Sequence, residues 1–291
     1  MTHSPSTALG PAAPSDAELA AIARVLYSDA GIVIAPGKGS MVQSRLGKRL
    51  RALGLRDYAS YIALIISEAG AEERRAMISA LTTNVTQFFR ENHHFETLRQ
   101  SALPPLLECA RAGQRIRIWS AGCSNGQEAF SIAMTLADMA PDIGKLDIRI
   151  LATDIDPQMI ARGREALYDP ATLTTVPNSL RRFLTQEDGG LRIVEPLRRL
   201  VSFRELNLHD TWPMRGPFDI IFCRNVVIYF DPDSQARLWQ RFETVLQPGG
   251  WLFVGHSERV PLVPPCKLTT AGITTYRLPV AQNNPGGSRW H

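Results

Sequence analysis

The stretch FCRNVVIYF, residues 222–230, follows an apolar run (Phe218, Ile220, Ile221, Phe222) and places Arg224 and Asn225 at its end, with Tyr229 a few residues on. A guanidinium and an amide at the end of a core strand are costly to bury unless something there bonds them. Two other segments put polar residues in the same kind of place. AGCSNGQE (121–128) brings two glycines and Glu128 after an apolar strand, and LATDID (151–156) ends a second strand in Asp154 and Asp156. Glycine lets a backbone approach a ligand closely. An acidic side chain at a strand tip can accept hydrogen bonds from both hydroxyls of a ribose. Asp156 precedes Pro157 and suits a helix cap, which leaves Asp154 for the ligand. The chain has no G-x-G-x-x-G and no GxxxxGK[ST], which argues against nicotinamide, flavin and phosphate-loop chemistry. A ribose-bearing ligand without a phosphate loop points to S-adenosylmethionine.

These segments need a sheet that gathers strand ends. From residue 116 onward, short apolar runs alternate with helical patterns: RIRIW, then GQEAFSIAMTLADMA, LDIRILATDID, a helix from Pro157 to about Ala166, FDIIF, a helix over about 233–246, then GGWLFVGHSE and TTYRLPV. Such alternation predicts an α/β domain with a largely parallel sheet, whose ligands bind beyond the carboxyl ends of the strands. EDGGLRIVEPLRRLVSFREL, about 187–206, breaks the alternation and reads as an inserted hairpin. Residues 16–110 read as helical. Asp16 is expected to cap a helix through Tyr27, and Val42, Leu46, Leu50 and Leu53 make an apolar stripe at helical spacing in a second helix. A longer helical stretch follows, interrupted near Pro104 and Pro105.

Composition sets the class. The 291 residues are 44% hydrophobic and 21% charged, as in an ordinary soluble globular protein. No apolar run is long enough to span a bilayer, and the N-terminus lacks the basic and apolar regions of a secretory signal. Four widely spaced cysteines without a CxxC argue against a zinc site or a disulfide framework and fit reduced thiols in the cytoplasm. The net charge of +4 is compatible with an acidic partner without naming one.

TTNVTQFFRENHHF (82–95), WSAGCSNGQEAFSIA (119–133), LATDID (151–156), FDIIFCRNVVIYF (218–230) and GWLFVGHSE (250–258) together resemble the CheR family, the chemotaxis receptor glutamate methyltransferases. The resemblance runs in order over about residues 16–278. It implies an α/β fold: a Rossmann-like S-adenosylmethionine-dependent methyltransferase domain with a β-subdomain insertion, preceded by an all-helical N-terminal domain. The expected division is a disordered leader over 1–15, the helical domain with its linker over 16–90, the methyltransferase domain over 91–280 with its insertion at about 187–206, and a disordered tail over 281–291. Carried over position by position, the cofactor contacts would be Asn84, Thr86, Arg90, Glu128, Asp154, Asn207, Leu208, Arg224 and Asn225. Where the family often has Glu-Pro-Tyr, this chain has Glu128-Ala129-Phe130. The carboxylate is kept and a tyrosine hydroxyl is lost.

The reaction implied is methyl transfer from S-adenosylmethionine to a receptor glutamate, giving a methyl ester and S-adenosylhomocysteine. A glutamate of pKa ~4.3 is already ionised at neutral pH, so the chemistry requires no general base, metal or nucleophilic cysteine. The enzyme must align oxygen, methyl and sulfur and exclude water. Arg90 and Tyr229 are the candidates for orienting the acceptor carboxylate. His93, His94 and His256 are assigned no catalytic role, His256-Ser257-Glu258 is expected to shape a turn, and Cys123 and Cys223 read as packing residues.

Arg45, Lys48, Arg49, Arg51 and Arg56 crowd one segment and are expected to form a basic docking face for the acidic coiled coil of methyl-accepting receptors. Charge reversal at Arg45 and Arg49 would then raise KM for receptor. The inserted hairpin lacks the Gly-x-Gly stretch of members that tether a receptor's C-terminal peptide, so no tether is expected. Nothing in the sequence demands more than a monomer, and the bacterial cytoplasm is the expected location, with no membrane insertion and no nucleic-acid partner. Two rivals stay open. A nucleic-acid methyltransferase would normally carry N/D-P-P-Y/F where this chain has RNVVIY, and a non-catalytic S-adenosylmethionine sensor would not need Arg90 and Tyr229.

Overall fold

The computed structural model describes residues 12–280. The expected leader and tail lie outside it, apart from residues 12–15. Among the described residues four helices come first: α1 (Asp16–Ala30), α2 (Gly39–Ala52), α3 (Tyr58–Ile66) and α4 (Ala71–Leu81). They enclose a core of their own around Ile22, Leu26, Leu46, Leu50 and Tyr61. Ser15, not Asp16, caps α1. Its hydroxyl accepts from the Glu18 amide while the Glu18 carboxylate accepts from the Ser15 amide, the reciprocal pairing of a capping box. The helix runs past Tyr27 to Ala30. In α2 the buried stripe stops at Leu50, because Leu53 lies beyond the helix end and is 39% exposed.

After a linker come α5 (His93–Thr97), one wide turn over 98–102, and α6 (Leu103–Arg111). The expected interruption is this turn, set just before Pro104 and Pro105, which lack N–H groups and fit only a helix start. The α/β part continues with β1 (Ile116–Ala121), α7 (Gln127–Met139), β2 (Ile148–Asp154), α8 (Pro157–Glu165), β3 (Leu167–Tyr168), β4 (Leu184–Glu187), β5 (Gly190–Ile193), α9 (Glu195–Arg198), β6 (Val201–Glu205), β7 (Phe218–Cys223), α10 (Pro232–Val245), β8 (Leu246–Val254), β9 (Thr269–Gly272) and β10 (Thr275–Arg277).

Seven strands form one sheet in the order β6-β2-β1-β7-β8-β10-β9. The five from β6 to β8 are parallel, and β10 runs antiparallel to both its neighbours. The order reverses between β1 and β7, which makes the crevice beyond their carboxyl ends the switch point where ligands bind in such sheets.

The expected insertion over 187–206 is misplaced. Its sheet is three-stranded, β3-β5-β4, and spans residues 167–193, whereas β6 pairs in parallel with β2 as an edge of the main sheet. VSFRE alternates buried and exposed residues, as a strand with one covered face must. That pattern is the same in a hairpin and in a sheet edge, so the alternation alone does not assign it.

Candidate active site

The carboxyl ends of β1, β2 and β7, the linker over 82–90 and the α1–α2 link line one cavity, at the place where open α/β sheets take small-molecule ligands. All nine expected cofactor contacts line it, as does Tyr229. Thr82 and Thr83 at the start of the linker line it too, as do Ala30 and Ile32 of the α1–α2 link. No local sequence pattern reveals Ala30 and Ile32, because only the docking of the helical domain on the sheet brings them there.

Asp154 ends β2 and is 7% exposed. Its Oδ2 accepts from the Ser124 amide at 2.7 Å and its Oδ1 from the Asp156 amide at 2.9 Å. Each carboxylate oxygen has room for a further hydrogen bond. Burial is the largest influence on the group and outweighs these amides, raising its pKa to about 6. Asp156 caps α8 through the Gln158 amide and also receives Asn84 Nδ2 at 2.8 Å, which ties the linker to the sheet. Gly122 shows why the loop after β1 is built of small residues. It holds φ at 79°, and a Cβ there would lie 2.2 Å from the Val226 side chain.

Arg224 answers the question raised by a buried guanidinium. It is 2% exposed in its side chain and bridges two carboxylates, with Nη1 at 3.0 Å from Glu128 and Nη2 at 3.3 Å from Glu91. It also donates to the Arg90 carbonyl. Only its Nε lacks a partner among the described residues. Glu128 accepts from Ser120 Oγ at 2.7 Å as well, yet its burial outweighs Arg224 and raises its pKa. In Glu91, burial opposes the charge, but Arg224 and His256 prevail and hold the pKa down to about 2. Glu91 stands at φ 57° and joins the linker to the strand ends through Arg224 and His256. Its identity as the arginine's partner depends on a contact across 133 residues and is not legible in the linker sequence alone.

Asn225, at φ 60°, and Asn207 both line the cavity, but parts of each side chain are engaged elsewhere. Asn207 Nδ2 donates to the Asp29 carbonyl at 2.7 Å and Asn225 Nδ2 to Glu91 at 3.4 Å. Arg90 is 32% exposed in its side chain and donates to the Val85 carbonyl at 2.9 Å. Tyr229 is half-buried on the cavity wall.

His94 is fully buried beside Thr274 and its pKa is pushed down to about 3, first by burial and then by Arg224, so it is neutral. Glu91, His93 and His94 bring ligand atoms within 4.8 Å of one another, but the Arg224 guanidinium already faces Glu91 there and opposes a metal cation. Burial raises the Cys123 and Cys223 thiols, which makes them inert.

The basic segment divides. Arg45 is spent on the end of α4, donating to the carbonyls of Ala80, Leu81 and Thr82 and to Thr83 Oγ1. Arg49 forms a two-point pair with buried Glu73, which also accepts from the Tyr61 hydroxyl. These two arginines hold the helical domain together and are not free for a partner. Lys48, Arg51 and Arg56 are exposed.

Comparison with known proteins agrees with this geometry. Residues 84–276 match the model of the CheR methyltransferase, SAM binding domain, and residues 17–82 that of the CheR methyltransferase, all-alpha domain. The chain is 50% identical over 258 residues to a probable chemotaxis protein methyltransferase of Rhizobium etli, covering 87% of this chain and 96% of that protein. It is 42% identical to the chemotaxis protein methyltransferase of Salmonella typhimurium, covering 84% of each chain, and 40% identical to that of Escherichia coli, covering 91% of each. A strand-end carboxylate, a loop of small residues and a switch-point cavity thus stand in a chain that belongs to the CheR methyltransferase family and uses S-adenosylmethionine.

Proposed function

We propose that this enzyme transfers the methyl group of S-adenosylmethionine to glutamate side chains of chemoreceptor cytoplasmic domains, as a monomer in the bacterial cytoplasm. The observation that carries the proposal is the placing of Arg90 and Tyr229 on the same cavity wall system as Asp154 and Glu128. Two groups suited to an acceptor carboxylate thus border a site suited to a nucleoside. Among the described residues no helix is long and apolar enough to cross a membrane. The relatives' names supply the receptor side of the reading.

The bound cofactor supplies an electrophilic methyl on a sulfonium. Asp154 would hold the ribose through the acceptor capacity its two amide bonds leave. Asn84, Thr86, Glu128, Asn207, Leu208 and Asn225 would shape the rest of the cofactor site. Arg224, locked between Glu91 and Glu128, fixes the relative position of linker, α7 and β7. Arg90 would receive the incoming carboxylate, its guanidinium steadied by the Val85 carbonyl, and Tyr229 would donate to it from the opposite segment. Docking would use the exposed Lys48, Arg51 and Arg56, and no tether through the inserted sheet is proposed. The test is incubation with S-adenosylmethionine and receptor cytoplasmic fragments, followed by peptide mapping. A single added methyl on glutamate supports the reading. Methyl groups confined to lysine or arginine would refute it.

A further inference from the structure

We propose that Glu258 is a positioning residue for this reaction: its carboxylate sets the loop that presents Asn225 and Tyr229 to the cavity. The role of Tyr229 rests on the function proposed above.

Glu258 lies just past β8 and is 4% exposed. It faces no basic side chain within ion-pair distance among the described residues. Backbone amides take that place. Oε1 accepts from Val226 at 2.9 Å, Val227 at 2.7 Å and Ile228 at 3.3 Å. Oε2 accepts from Asn225 at 3.0 Å and Gly255 at 2.6 Å. Four consecutive N–H groups can converge on one anion only if the chain curls around it. No regular strand directs successive amides to one side.

The curl is what turns the chain out of β7. Asn225 begins it in the left-handed region at φ 60°, a conformation non-glycine residues hold only when their surroundings enforce it. The Tyr229 amide then donates to the Val226 carbonyl at 3.2 Å and the Phe230 amide to Val227 at 2.9 Å. Tyr229 therefore hangs on the turn whose preceding amides Glu258 gathers. On the other strand end the space is reserved for this contact. A Cβ on Gly255 would lie 2.6 Å from the Asn225 amide nitrogen and 2.8 Å from Glu258 Oε2. The Glu258 amide donates to the Gly255 carbonyl at 2.9 Å, which closes the turn that aims the side chain back. Other contacts hold the loop by its carbonyls, from Val33 and from Gln235, and leave its N–H groups to Glu258.

A glutamine of the same size has one accepting oxygen and an NH2 that would oppose amide donors. Glu258→Gln should therefore loosen the loop, and Glu258→Asp, which keeps the charge on a shorter arm, should loosen it less. The control is Glu73→Gln, which removes another buried carboxylate but in the helical core with Arg49 and Tyr61. The full-length variants are compared with wild type for kcat, receptor KM, S-adenosylmethionine Kd and Tm, below every melting temperature. Glu258→Gln is expected to lower kcat by about ten- to a hundredfold, the penalty for small misplacement of a positioned group, with Glu258→Asp partly restored. Glu73→Gln should lower Tm yet keep kcat within about twofold, because it touches no reacting group. Unchanged kcat in Glu258→Gln would overturn the inference, as would an equal kcat loss in Glu73→Gln. If Glu258→Gln does not fold, Glu258→Asp decides, and wild-type kcat in that variant refutes the inference. Absence of methyl transfer by the wild type would instead strike the proposed function, and the cofactor Kd would still report on Asn225 and its loop.

Discussion

Asp154 holds its proton at a pH where an ordinary aspartate has lost it, because burial raises its pKa to about 6. This shift opposes stability as pH rises. The folded state binds the proton more tightly than the unfolded one, so the contribution is full below the unfolded pKa and is lost as pH climbs through about 6. Hydrogen bonds donated by a ribose favour the ionised form, so binding must expel the proton at low pH. Cofactor Kd is expected to be flat above pH 7 and to rise by about tenfold per unit below about 6. Calorimetric titration from pH 5 to 8 checks this, and a Kd flat over the whole range would remove Asp154 from the ribose. The residue was legible in the sequence because a strand tip followed by a capped helix leaves one acid unaccounted for. Arg224 was legible as a site residue too, but not its engagement with Glu91 and Glu128, which depends on contacts 133 and 96 residues away.

At the scale of elements, helices announced themselves through buried spacing, as in Val42, Leu46 and Leu50 of α2. What periodicity does not encode is which polar side chain on the outer face meets a neighbouring helix. Arg45 and Arg49 read as surface charges, yet one closes the C-terminus of α4 and the other pairs with Glu73. Arg49→Ala would leave a buried carboxylate with only the Tyr61 hydroxyl. It is expected to destabilise the helical domain by about 3 kcal/mol, measured by urea unfolding, whereas loss of receptor affinity at unchanged stability would return Arg49 to a docking role. The inserted sheet shows the same limit. Two-residue β3 is too short to carry a period, and β6 belongs to the main sheet through its pairing with β2, not through its own residues.

Across the whole molecule, the helical domain is a wall of the cavity as well as a neighbour of it. Ile32 pairs with Phe230, the Val33 amide donates to the Tyr229 carbonyl, and Asn207 reaches the Asp29 carbonyl. The motifs from 82 to 258 made the family legible, while this closure from the α1–α2 link did not show in any of them. The exposed remainder of the basic segment, Lys48, Arg51 and Arg56, is the part free to meet an acidic helix. Triple charge reversal there should raise receptor KM by about tenfold at low salt and less at high salt, leaving cofactor Kd unchanged. Equal damage to both constants would place the segment in the fold instead. The central claim is the bond that is made, and alkali distinguishes it most directly. With methyl-labelled S-adenosylmethionine and receptor fragments, the account predicts label that alkali releases as volatile methanol, the mark of a carboxyl methyl ester. Label that survives alkali would mean methylation at nitrogen or carbon and would contradict it.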